Sequence, residues 1–239
     1  MKVLLTNDDG VNAAGLGALE EACLAAGYEV HVVAPAVEQS MCGHRITTHS
    51  AISVTQLDAQ RFAVGGTPAD CVRIGLFALG IKPDAVLSGV NHGGNLGQDI
   101  HISGTCAAAR EAAYHGFPAM AFSHYLIRDL AVDWARLASW IRQLLPMLVS
   151  ESKALRDAFL NVNFPHLPPG KALCPEVLRT QVARSPLPVA FERQGDLLDA
   201  SVSHFQYSAR YADRGQDDGS DVRVVFGGGV SICPIGIHL

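Results

Sequence analysis

The sequence predicts an α/β protein, a mostly parallel sheet with helices on both faces, and three observations carry that prediction. Short apolar runs that stop at polar turns recur along the chain, at Lys2–Thr6, 29–34, 85–88 and 119–123. Segments with helical spacing of apolar residues lie between them. The polar and glycine-rich stretches follow the runs, which puts them at the carboxyl ends of parallel strands, where this architecture binds ligands.

The first unit is the clearest. KVLLT reads as a buried strand broken by Asn7-Asp8-Asp9-Gly10. Residues 13–26 carry Leu16, Leu19, Cys23 and Leu24 on a helical repeat, with Gly27 past the end. EVHVVA is a second strand, halted by Pro35. Strand, helix and strand in this order form a right-handed crossover and hence a parallel pair. A polar loop over 35–49 follows, then β segments at 52–57 and Arg61–Val64. Thr67 as cap, Pro68 in the first turn and Asp70 behind it open a helix to about residue 79. Strand 85–88, a glycine-rich segment 89–104, helix 105–115, strand 119–123 and a long helix over 133–149 complete this part. From Pro165 the texture changes. Pro168, Pro169, Pro175, Pro186 and Pro188 interrupt the chain, and 222–226 and 230–232 read as short β runs. The expected division is therefore a core over 1–165 and a smaller β-rich extension over 166–239 that completes the core, with a lid or an oligomer contact as its role.

Composition narrows the class. With 239 residues, 49% hydrophobic and 17% charged, the chain has material for a core and is not a disordered polymer. Net charge is −5 with no basic run, which argues against DNA or long RNA as a partner. No apolar stretch approaches the roughly 20 residues of a membrane span, and the N-terminus lacks a signal-peptide pattern, so the expectation is a cytoplasmic protein with no membrane partner. The six cysteines are scattered with no CxxC pair and read as small buried hydrophobes, Cys42 in the polar loop being the exception.

Four motifs carry chemistry. Asp8 and Asp9 are adjacent acids at a strand end, costly unless a cation or hydrogen bonds offset their repulsion; one could equally cap the next helix. Ser88-Gly89-Val90-Asn91, continuing through His92 to Asn95, supplies neutral oxygens and amides on a glycine-rich loop. Ser103-Gly104-Thr105 ahead of an alanine-rich helix is either an N-cap or a phosphate cradle. Ser40, in the loop after the second strand, is a hydroxyl available to a metal. His44 and His92 are candidate substrate contacts. Together these oxygens suit a hard divalent cation that polarises a phosphoryl group. No GxxxxGK[ST], nucleophile elbow, HExxH or dinucleotide fingerprint is present.

The motifs KVLLTNDDG at 2–10, VVAPAVEQS at 32–40, GGTPADCV at 65–72, PDAVLSGVNHGGNLGQDIHISGT at 83–105 and NVNFP at 161–165 resemble the SurE family, the survival-protein-E nucleotidases. The resemblance implies a Rossmann-like core with a C-terminal β-hairpin used in homodimer or homotetramer assembly. It implies hydrolysis of nucleoside 5′- and 3′-monophosphates with one divalent metal, Mg or Mn, per subunit. By position, Asp8, Asp9, Ser40 and Asn91 would be the metal ligands, Asp8 and Asp9 the catalytic pair, and Asn95, Ser103, Gly104 and Thr105 the phosphate site. The chain departs from the family pattern at Met41, where many members have glycine, and at Ile102, where an aromatic is common. A phosphatase acting on short polyphosphate or another small ester, and a nucleotide-binding protein without turnover, are the alternative readings.

Overall fold

The computed structural model describes residues 1–168, 170, 173–194 and 203–238. Pro169 and part of the proline-rich stretch thus lie outside the described residues. A nine-stranded sheet runs through the molecule in the order β3-β4-β2-β1-β5-β6-β7-β11-β8. Its strands are β1 (Lys2–Thr6), β2 (Glu29–Pro35), β3 (Val54–Gln56), β4 (Arg61–Val64), β5 (Ala85–His92), β6 (Ala119–His124), β7 (Ala158–Phe164), β8 (Val177–Arg179) and β11 (Val230–Gly236). A separate antiparallel hairpin is formed by β9 (Phe191–Gln194) and β10 (His204–Tyr207). The helices are α1 (Ala14–Ala25), α2 (Pro68–Arg73), α3 (Asp99–Ile102), α4 (Gly104–Tyr114), α5 (Trp134–Ala154) and α6 (Asp221–Phe226).

The α/β prediction is met, and alternation explains why the strands read as unbroken apolar runs. Val3 and Leu5 of β1 enter a core shared with α1 and α5, while Leu4 between them enters a second core on the opposite face. Val32 and Ala34 of β2, and Leu87 of β5, repeat the first orientation; Val33 and Val86 repeat the second. A strand covered on both faces has no solvent side to mark with polar residues.

The order of strands places the functional cleft. The chain steps from β1 outward to β2, then returns to the other side of β1 with β5 and continues through β6 and β7, all parallel. The direction of winding therefore reverses between β1 and β5, and loops leaving their carboxyl ends diverge to open a crevice.

Three elements differ from expectation. β5 does not stop at Ser88 but runs on to His92 through an irregularity between Ser88 and Asn91. There Gly89 has φ +134°, and a Cβ on it would lie 2.3 Å from the Phe122 carbonyl oxygen, so only glycine lets the two strands meet. Helix α2 passes at Ile74 into a single π turn. Residues 222–226, read as β, are helical: the Ser220 hydroxyl caps the Arg223 N–H at 3.2 Å and Asp221 sits in the first turn. Tertiary position overrode the β preference of its valines. β11, by contrast, is a full strand, antiparallel to β7.

Candidate active site

A cleft of about 350 Å³ lies at the β1/β5 crevice, lined by Asp8, Asp9, Glu38, Ser40, Asn91 and Asn95 together with Met41, His92, Gly94, Asp99, Ile102 and Ser103. Each wall has its own local cause. Asp8 and Asp9 stand on the turn that ends β1, where Asn7 closes the loop by exchanging hydrogen bonds with Gly10, at 2.9 and 3.2 Å. The Gln39 N–H donates to the Asp8 carbonyl at 2.7 Å, which ties the loop after β2 to that turn and brings Ser40 in.

Asp8 is buried, and its Oδ1 accepts from the Thr105 hydroxyl at 2.5 Å. Burial pushes its carboxyl up to about 6; Thr105 opposes the rise and the adjacent Asp9 adds to it. Asp9 accepts from the His92 N–H at 3.1 Å, and burial raises its carboxyl too, the charge of Glu38 contributing. Ser40 donates to Glu38 at 2.5 Å, which leaves its own lone pairs unused. Asn91 donates its amide to the Gly93 carbonyl at 2.8 Å, leaving its side-chain carbonyl oxygen as a lone-pair group for the cleft.

The opposite wall is the start of α4. Ser103 caps it, accepting from the Cys106 N–H at 3.0 Å, so the hydroxyl proton stays available. Gly104 packs against the acid pair: a Cβ there would lie 2.8 Å from the Asp8 Cβ and 3.1 Å from the Cys42 sulfur. Asn95 is locked in a buried asparagine network. Its N–H donates to Asn163 Oδ1 at 2.9 Å, its amide to the Ser123 hydroxyl at 2.8 Å, and its carbonyl accepts from Asn161 and Asn163 at 2.8 and 3.1 Å.

The structure therefore brings Asp8, Asp9, Ser40, Asn91, Asn95, Ser103 and His92 to one cleft. Three of the sequence candidates are not on its lining. Gly104 packs behind it against Asp8. Thr105 spends its hydroxyl on Asp8 and is wholly buried, behind the carboxylate and not on the lining. His44 does not reach the cleft, because the buried Glu111 on α4 claims its ring nitrogen at 2.7 Å. Glu111 also accepts from Arg73 at 2.6 Å and pairs with His115 at 3.0 Å. Burial alone would raise this carboxyl, yet the three partners together hold it at about 2. Cys42, the exceptional cysteine, has its thiol pushed up by burial and by Asp8, which disfavours a thiolate nucleophile.

Sequence reasoning missed Glu38, Asp99, and the pair Asn161 and Asn163. The asparagines had a signal. Two polar residues at i and i+2 of an apolar strand point to one face, and an interior amide pair requires partners. Asp99 closed a motif already singled out, but the residues that hold it, Tyr211 and Arg214, lie more than a hundred positions away.

Comparisons with known proteins identify the family. The family model described as Survival protein SurE matches residues 3–185. The protein named 5′-nucleotidase SurE from Geotalea uraniireducens is 42% identical, over 100% of this chain and 94% of that one. Its namesake from Paramagnetospirillum magneticum is 36% identical over 98% and 89%. The crystal structure of the SurE protein from Aquifex aeolicus matches with a TM-score of 0.86 at 30% identity, over 100% of this chain and 94% of that one. A family model over most of the chain, and relatives alike along its whole length, establish that the chain belongs to the SurE family.

Proposed function

We propose that the chain is a divalent-metal-dependent nucleotidase that hydrolyses nucleoside 5′-monophosphates, and 3′-monophosphates in the same cleft, to nucleoside and phosphate. The name carried by its relatives supports the nucleotide. One observation carries the metal. Among the described residues, the cleft is lined by the acids Asp8, Asp9, Glu38 and Asp99 and by no lysine or arginine. A phosphate ester entering it meets like charge at close range. A cation is needed to admit the phosphate, and it would also offset the burial that raises the Asp8 carboxyl.

The donor set fits such an ion. Two carboxylates, a hydroxyl and an amide carbonyl are hard oxygen donors, suited to Mg²⁺ or Mn²⁺. Asp8, Asp9, Ser40 and Asn91 would hold one ion per subunit, which when bound supplies Lewis-acid polarisation of the phosphoryl group. The remaining work falls to the chain itself. Thr105 fixes one carboxylate and the His92 amide fixes the other, so neither must reorganise during the reaction. Ser103 offers its hydroxyl proton to a phosphoryl oxygen. Asn95, held rigid by Ser123, Asn161 and Asn163, offers the amide hydrogen that Ser123 leaves unused. The Gly104 and Thr105 N–H groups that open α4 have no acceptor within the helix and would add to the donors for the same charge. A water attacks phosphorus in line and gives its proton to a carboxylate of the Asp8–Asp9 pair, while the bond from phosphorus to the nucleoside oxygen breaks and that oxygen takes up a proton as the nucleoside leaves.

The reading extends to assembly of identical subunits through the β9–β10 hairpin, whose Phe191, Phe205 and Tyr207 are exposed.

The test is phosphate release from 5′-AMP, 3′-AMP and p-nitrophenyl phosphate with Mg²⁺ or Mn²⁺. EDTA abolishes release, and Asp8→Asn and Asp9→Asn each lower it by roughly 100-fold or more. Full activity in both variants, or indifference to EDTA, sinks the proposal.

A further inference from the structure

Two acids of the cleft, Glu38 and Asp99, belong to neither the metal set nor the phosphate donors; Glu38 is engaged by the Ser40 hydroxyl, and Asp99 is held by residues from the C-terminal part of the chain. Asp99 opens α3 and lines the cleft beside Asn95, Ile102 and Ser103. Three donors converge on a single one of its oxygens. Oδ2 accepts from the Tyr211 hydroxyl at 2.6 Å, from Arg214 Nη1 at 2.7 Å and from the Leu96 N–H at 3.2 Å. Oδ1 accepts from no described residue. The sealed side-chain polar atoms without partners among the described residues are Thr6 Oγ1, Ser88 Oγ and His124 Nδ1. Asp99 Oδ1 is not one of them, so it keeps access to the cleft that its residue lines.

The supporting pair is built to hold this acid rather than to meet substrate. The Arg214 side chain is only 2% exposed, donates a second bond to the Leu96 carbonyl at 2.9 Å, and lies over the Tyr211 ring at 4.5 Å from its centroid. A guanidinium so enclosed cannot turn to a phosphate. It balances the charge of Asp99 and fixes its orientation. What remains in the cleft is a carboxylate oxygen that is charge-compensated, rigid and purely an acceptor. An ionised phosphate offers it no proton, whereas a hydroxyl does. In a nucleoside monophosphate the ribose is joined directly to the phosphate, so an acceptor beside Asn95 and Ser103 meets the sugar first.

We propose that Asp99 Oδ1 accepts a ribose hydroxyl of the nucleotide, with Arg214 and Tyr211 as the residues that position it. Asp99 is then a specificity-determining residue that favours esters carrying the sugar hydroxyls over esters without them. The inference rests on the nucleotidase reading above and names the part of the substrate that the second half of the cleft recognises.

The experiment compares kcat and KM for AMP and 2′,3′-dideoxy-AMP, with p-nitrophenyl phosphate as an ester without sugar, all with Mg²⁺. The unsubstituted protein prefers AMP to the dideoxy compound by about tenfold or more, the worth of one hydrogen bond to a charged acceptor. Asp99→Asn keeps an oxygen for Tyr211 and Arg214 but turns an NH₂ to the cleft. Its AMP-to-dideoxy preference collapses towards one, chiefly through a higher KM for AMP. Tyr211→Phe keeps the ring, removes one donor to Oδ2, and gives a smaller loss of the same preference, again in KM; this milder variant serves if Asp99→Asn does not fold. Equal handling of AMP and dideoxy-AMP by the unsubstituted protein overturns the inference, as does a preference that survives in Asp99→Asn. If the unsubstituted protein releases phosphate from none of the three esters, the nucleotidase reading falls, and this inference with it.

Discussion

His124, at the carboxyl end of β6, is buried beside His166 with its rings 4.9 Å apart, and its Nδ1 has no partner among the described residues. Burial pushes its imidazole down from 6.5 to about 4, and the neighbouring His166 adds to the shift. The unfolded chain thus takes up a proton that the folded chain refuses. The stability this residue contributes is complete above pH 6.5 and is lost as pH falls towards 4. At its limit the loss is on the order of 3 kcal/mol. Going from about pH 7 to about pH 5, the urea midpoint of the unsubstituted protein shifts downward relative to that of His124→Phe. The comparison between the two isolates His124 from Asp8, whose carboxyl, raised to about 6, changes stability in the opposite sense. A slope that is the same in both proteins contradicts this account. Single residues were legible in the sequence to differing depth. Asp8, Asp9 and Ser40 follow strand ends and Asn91 follows the apolar part of one, and the end of an apolar run is readable. Whether a hydroxyl such as that of Thr105 faces substrate or a neighbouring carboxylate depends on a contact across 97 residues.

Helix α4 is the element that joins the two halves of the site. Its cap, Ser103, faces the cleft, its second residue backs Asp8, and Glu111 further along holds His44. That last contact anchors the loop that carries Ser40, and Asp70 secures the same loop by accepting from Thr47 at 2.8 and 2.7 Å. Gly104→Ala tests how close the helix must come. The added methyl meets the Asp8 side chain, so α4 or the acid turn must shift. The expected cost is about 1–3 kcal/mol of stability and a loss of phosphate release larger than stability alone explains, because Asp8 moves. Unchanged kinetics together with an unchanged melting temperature would show that the approach is not required. The start of this helix was readable from Ser103-Gly104-Thr105, and the structure begins it one residue earlier than expected. The helix α6 was not readable, since a six-residue run rich in valine carries too little periodicity to separate helix from strand.

Across the whole molecule, the C-terminal residues close the active-site loop as well as the sheet. Asp221 accepts from the Gly97 N–H at 2.8 Å and from the Ala183 N–H at 2.9 Å, and Arg214 reaches the Leu96 carbonyl. The β9–β10 hairpin takes no part in the nine-stranded sheet. Its Phe191 and Phe205 are 59% and 63% exposed, an apolar pair that subunit contact would cover. Phe191→Ser with Phe205→Asp is expected to lower the mass measured by light scattering to that of one chain, while the melting temperature of the sheet changes little. A single-chain mass in the unsubstituted protein would end the assembly proposal.

The sequence by itself determined the α/β class, the parallel order of the first strands, the place of the cleft and the residues that stand first after each strand. All of these follow from local periodicity and from the rule that ligands gather at strand carboxyl ends. Only the tertiary structure decided which groups are spent on one another. Thr105 is given to Asp8, His44 to Glu111, and Arg214 and Tyr211 to Asp99. The physical reason is the same in each case. A buried carboxylate must find donors, and those donors come from distant parts of the chain that meet only when the sheet is complete.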